Sequence, residues 1–119
     1  MKPIYLGMFH NKKDVMERFK ETNDTFNSIK ILFAAYDLDG CHSDAFVLLK
    51  RGRRLFEVNG SHCSCYDLEG QWEPEDTTIR ALRFRLKNGS FGRSFDEGSD
   101  IRFRENLIKV LASLSGKKA

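Results

Sequence analysis

The stretch DAFVLLKRGRRLFEVN (44–59) sets two apolar runs on either side of Arg51-Gly52-Arg53. So short a connection between two extended runs forces an antiparallel hairpin. Upstream, SIKILFAAYD (28–37) is rich in β-branched and aromatic residues and apolar on both faces toward its middle. That pattern predicts a buried, central strand. Consecutive strands with short links give an antiparallel sheet, expected over 28–37, 44–50 and 54–59. The run SHCSCYD (61–67) either extends the third strand or opens a short fourth one.

Helical spacing appears on both sides of this sheet. Asn11 is a reasonable N-cap for a helix over 11–21, where Val15, Met16 and Phe19 share a face. After Trp72, EPEDTTIRALRFRLKNG predicts a second helix. Glu73, Glu75 and Asp76 suit the positive end of its dipole, Pro74 its entrance and Gly89 its stop. A rival reading stays open, because LRFRLK (82–87) also alternates strictly and Asn88-Gly89 is a hairpin turn signal. A last helix follows Ser99, with Phe103, Leu107, Leu111 and Leu114 recurring every three to four residues up to Gly116. The expected order is α-β-β-β-α-α. This is an α+β domain over 1–119, a three-stranded antiparallel sheet with one N-terminal and two C-terminal helices covering one face.

A chain of 119 residues, 40% hydrophobic and 31% charged, is expected to fold as one globular domain. No apolar run reaches the ~18 residues of a membrane span, and MKPIYLGMFHNKKD has no apolar signal region. Three cysteines, two of them in C-x-C, make a poor disulfide framework and point to a reducing cytoplasm. Net charge is only +3, yet residues 1–79 carry ten Lys/Arg against thirteen Asp/Glu, and residues 80–119 carry ten against four. Such asymmetry suits either a solvated surface or a docking face for an anionic partner.

Three constellations could carry chemistry. ILFAAYDLDGCHSD (31–44) contains D-x-D-G after an apolar strand, the nucleophile motif of haloacid dehalogenases. Here the next element is another strand, so Asp39-Gly40 reads as a turn. Cys41, His42, His62, Cys63 and Cys65 offer four or more zinc ligands at one end of the sheet, two strand spacings or about 10 Å apart. The absence of a C-x-x-C knuckle argues against zinc, and no cofactor is expected. Cys63 or Cys65 with His42 as base would make a thiol site, but no oxyanion-hole sequence accompanies them. The expectation is therefore of buried, idle cysteines under Tyr66, Leu68 and Trp72. The third constellation is basic: Arg80, Arg83, Arg85 and Lys87 on the helix over 79–88 could lie along a phosphate backbone or an acidic protein. Phe91 and Phe95 are expected in the core.

The run LFEVNGSHCSCYDLEGQWEPEDTTIRAL (55–82) resembles a stretch found in a family of small proteins of tailed bacteriophages and prophages. In that family a strand ending E-V-x-G-S-H-C-S-C-Y leads into L-E-G-Q-W-x-P-E-x-T-T and a helix. The chain departs from the pattern at Asp67, where the family has Gly, and Cys41-His42 lies outside it. The resemblance covers about a quarter of the chain and brings no activity with it. It implies a phage-encoded accessory protein in the bacterial host cytoplasm, binding a host or defence-system macromolecule as inhibitor or modulator. The contact surfaces expected for such a binder are the acidic set Asp67, Glu69, Glu73, Glu75 and Asp76 and the basic helix. Nucleic acid is the alternative partner.

Overall fold

The computed structural model describes residues 2–39, 42–62, 68–88, 91, 95 and 102–115. Its elements are, in chain order, β1 (Ile4–Gly7), α1 (Lys12–Arg18), α2 (Asn23–Asn27), β2 (Lys30–Asp39), β3 (His42–Arg51), β4 (Arg54–His62), β5 (Glu75–Thr77), α3 (Ile79–Asn88) and α4 (Phe103–Ser115). The five strands form one mixed sheet in the order β1-β2-β3-β4-β5.

The three central strands lie where the apolar runs put them. β2 pairs with β3 from Lys30↔Lys50 to Asp39↔His42, and β3 with β4 from Arg51↔Arg54 to Ser43↔His62. The Asp39↔His42 pair ends the β2–β3 ladder, and Asp37, Leu38 and Asp39 of the D-x-D-G motif are the last residues of β2, followed by another strand. At the other hairpin Gly52 takes φ +64°, a left-handed turn conformation that glycine adopts without strain.

The three-stranded antiparallel expectation is overturned at both edges. β1 runs parallel to β2 through Ile4↔Phe33 and Gly7↔Tyr36. A parallel neighbour needs a long crossover, and α1 and α2 supply it. Gly7 makes the pairing fit: it holds φ +67°, the next amide, Met8 N, donates to Tyr36 O at 2.9 Å, and a Cβ on Gly7 would stand 2.1 Å from that same oxygen. At the opposite edge β5 pairs with β4 through Leu55↔Thr77 and Glu57↔Glu75. Glu75 and Asp76, expected in the first turn of a helix, are therefore in a strand. The helix starts later, where the Thr78 hydroxyl accepts from the Ala81 amide at 3.0 Å as N-cap. From there α3 runs as a helix over Ile79–Asn88, which excludes a strand over 82–87.

Helices cover both faces of the sheet, not one. On the first face Ile31, Ala34, Tyr36, Val47, Leu49, Phe56 and Val58 pack under Phe9, Val15, Phe19 and Phe26 from the α1–α2 side. On the second, Phe33, Ala35, Phe46 and Leu48 pack under Leu82 and Leu86 of α3, Phe103, Leu107, Val110 and Leu111 of α4, and Phe91 and Phe95 between them. This explains why FAAY and FVLL show no polar alternation: both sides of each strand are dry. A bulge between Ile31 and Phe33 shifts the β2 register, so Ile31 and Ala34 share a face although three residues apart.

α1 begins as its sequence dictates, with Asn11 Oδ1 accepting from the Asp14 amide at 2.7 Å. α2 is an additional short helix that lacks a side-chain cap. The Lys12 ammonium donates to Ile29 O at 2.7 Å, tying α1 to the entrance of β2. Trp72 sits edge-on to Phe19, 5.1 Å between ring centres, and 4.6 Å from Phe26. Beside it, the Gln71 side-chain amide donates to Ser61 O at 2.7 Å and accepts from Ser61 N at 2.8 Å, as a neighbouring strand would. None of the described helices is long and apolar enough to cross a membrane.

Candidate functional site: a cationic end of the sheet

The strand register separates charge along the sheet. Lys30 stands opposite Lys50 at one end of the β2–β3 ladder, and Asp37 opposite Asp44 toward the other. Arg51, Arg53 and Arg54 close the β3–β4 hairpin at the lysine end, and Lys2 enters β1 there. Six cations scattered over 53 positions of sequence thus meet on one rim. All six come from residues 1–79, where acidic residues outnumber basic ones, so strand register and not the asymmetry between the two halves of the sequence makes this separation.

Few of these charges are neutralised. Arg54 pairs with Asp76 at 2.5 Å, both side chains exposed. Arg51 and Arg54 lie over the Phe56 ring, 4.7 and 5.5 Å from its centre. Among the described residues no carboxylate meets Lys2, Lys30, Lys50, Arg51 or Arg53. α3 starts at this same end, because Thr77 pairs with Leu55. Between the strands and the α3 entrance lies an open cleft of about 750 Å³, lined by Arg53, Arg54, Asp76, Thr78, Ile79 and Ala81 among others.

The four basic residues of α3 divide by helical position. Arg80 and Lys87 flank Phe84 at i, i+4 and i+7 on the outer face, and Phe84 is 66% exposed. Arg83 reaches across to α4, donating to the Ser115 hydroxyl at 2.9 Å. Arg85 turns inward. Its guanidinium forms an ion pair with Glu57, donates to Asn59 Oδ1 at 3.3 Å and stacks 4.4 Å from the centre of the Phe91 ring. Glu57 also accepts from Asn59 Nδ2 at 2.8 Å and from the Thr77 side chain. Burial alone would push the Glu57 carboxyl up. Hydrogen bonds from Arg85, Asn59 and Thr77, with the charge of Arg85, outweigh it and hold the carboxyl below its ordinary value. This cluster clamps α3 onto β4 and β5.

Of the acidic set, Glu69 and Glu73 are exposed on the connection after β4, Glu75 stands opposite Glu57 in the β4–β5 ladder, and Asp76 is engaged by Arg54. Asp67, Cys41, Cys63 and Cys65 lie outside the described residues. The backbones of His42 and His62 are placed: His42 opens β3 and His62 closes β4, with Ser43 opposite His62. They stand on adjacent strands, one spacing apart instead of two, because His42 belongs to the start of β3 and not to the end of β2. Among the described residues no three His, Cys, Asp or Glu side chains are grouped to hold a metal ion. Phe91 and Phe95 are buried, as their apolar character requires.

The sequence reading found the basic hairpin turn and the basic helix separately. It missed Lys2 and Lys30, because only the β1–β2–β3 register brings them to that turn. No protein family, no curated protein and no solved structure matches the chain.

Proposed function

We propose that this chain is a binding protein for single-stranded nucleic acid, engaged by the cationic sheet end and the outer face of α3. The observation that carries the reading is the convergence of Lys2, Lys30, Lys50, Arg51 and Arg53 on one rim without carboxylate partners among the described residues. A phosphate backbone releases condensed counterions when it meets such a rim, which gives salt-dependent affinity without sequence preference. Phe84, exposed between Arg80 and Lys87, offers a ring on which an unpaired base can stack. In the setting implied by the 55–82 resemblance, the protein would occupy nucleic acid in the cytoplasm of an infected bacterium.

A second reading is favoured by one specific feature. Ile108 on α4 is 51% exposed and Phe84 on α3 66%, so each of the two helices turns a large apolar side chain outward, Phe84 between Arg80 and Lys87. That arrangement suits an acidic host or defence protein.

Fluorescence anisotropy with a labelled single-stranded oligonucleotide at two salt concentrations tests the first reading. Binding should weaken steeply with salt. Phe84→Ala should cost about 1–3 kcal/mol of affinity, and the Arg80→Ala/Lys87→Ala double variant should flatten the salt slope. No binding at low salt would end the nucleic-acid reading and leave the protein partner.

A further inference from the structure

On the α4 side of the same sheet end, Lys2, Lys30 and Lys50 surround a cavity of about 250 Å³ whose remaining walls are Leu32, Val110, Ser113 and Leu114. Lys30 and Lys50 are directly opposed in the ladder. Like charges so placed are destabilising unless something between them carries the opposite sign. Among the described residues none of the three ammonium groups has a hydrogen-bond or ion-pair partner. Leu32, Val110 and Leu114 line the cavity behind three exposed lysines, so the ammonium groups share one solvent-accessible space.

We propose that this cavity binds a phosphoryl group, held by the ammonium groups of Lys2, Lys30 and Lys50 with the Ser113 hydroxyl as a fourth donor. Three cations fit the chemistry of a group that presents three equivalent acceptor oxygens and up to two negative charges. The last turn of α4 lies beside the cavity and opposes an anion with about half a charge, against three full positive charges. The cavity is small, below the ~300 Å³ where drug-sized ligands begin, so it suits an anionic head rather than a whole nucleoside. The phosphoryl group can belong to a free inorganic anion or to the 5′ end of a strand already lying on the rim.

Isothermal titration with inorganic pyrophosphate, against sodium chloride at matched ionic strength, tests the site. The wild-type protein should bind pyrophosphate, and Lys30→Gln and Lys50→Gln should each weaken it about tenfold. The same substitutions should raise the melting temperature of the ligand-free protein, because the opposed charges are relieved. A 5′-phosphorylated oligonucleotide binding more tightly than its 5′-hydroxyl counterpart identifies the strand end as the source, and equal binding identifies the free anion. Pyrophosphate heat no greater than the salt control, or binding that survives both substitutions, overturns the proposal. So does a fall in the ligand-free melting temperature in both variants, since the lysines would then be serving the C-terminal end of α4. Phe84→Ala leaves this cavity intact and should not change pyrophosphate affinity, so failure here and failure of the nucleic-acid reading are separable.

Discussion

Arg85, on α3, meets Glu57, on β4, in an ion pair that leaves the carboxylate side chain 8% and the guanidinium side chain 23% exposed. With Leu82 and Leu86 packed on the same face, the pair fixes how α3 lies on the sheet. Removing one member is costlier than the pair is worth, because the other keeps its charge in a dry place. Arg85→Ala should therefore destabilise the fold by about 3 kcal/mol. Glu57→Gln keeps the hydrogen-bonding shape and leaves a guanidinium that can turn toward water, so its cost should be about 1–2 kcal/mol. Urea unfolding measures both, and equal losses in the two variants would contradict this ordering.

The same carboxyl makes the fold acid-sensitive. Its pKa in the folded chain is lowered from the ordinary 4.5, after hydrogen bonds outweigh burial. Stability from a depressed carboxyl is fully present above the ordinary value and is lost as pH falls below it toward the folded value. Unfolding free energies across that acid range should drop more steeply in the wild-type protein than in Glu57→Gln. Parallel curves would show that Glu57 contributes nothing to the acid limb.

Gly7 and Gly52 share a left-handed backbone but not their surroundings. A Cβ at Gly52 meets nothing within 4 Å, whereas at Gly7 it collides with Tyr36 O. Gly52→Ala should cost about 1 kcal/mol, the conformational penalty alone. Gly7→Ala adds displacement of β1 from its parallel partner, and should cost about 3 kcal/mol or prevent folding. A thermal melt that ranks the two the other way would contradict the β1–β2 register.

Much of the sheet was legible because the β2–β4 signals are local. Apolar runs at 31–36, 45–49 and 55–58, with a glycine turn at 52, specify an antiparallel meander without reference to anything distant. β1 was invisible because four residues, IYLG, gain their meaning only from a parallel partner nearly thirty positions away. β5 was hidden by chemistry that serves two purposes: Glu73, Pro74 and Glu75 mark a helix entrance as well as they mark an edge strand. The uninterrupted apolar run of β2 and β3 did state that both faces are buried, yet the helices expected from the sequence were placed on only one of them. The rim of charge shares the fate of β1. Arg51, Arg53 and Arg54 announce themselves as a turn, while Lys2 and Lys30 look like ordinary solvated lysines until register aligns them.

Gln71 offers a finer test of the segment after β4. Its amide makes two hydrogen bonds to the Ser61 backbone, one each way. Gln71→Ala should cost about 1 kcal/mol, since the site is exposed and water replaces part of the loss. Amide exchange should quicken at Ser61 while Val47, deep in β3, stays protected. Unchanged exchange at Ser61 would mean that the bond pair adds no local protection.

Covering both faces of the sheet with helices has a further effect on what this molecule can present to others. A sheet with one bare side offers a broad platform whose chemistry can be rewritten strand by strand. Here the central positions of β2 and β3 are taken up by Phe, Tyr, Leu, Ile, Val and Ala packing, and a polar replacement there would unmake the protein before it made a contact. Variation that alters recognition is thereby restricted to the hairpin tips, the strand ends and the outward sides of the helices, and the interior is free to stay constant while those perimeters change.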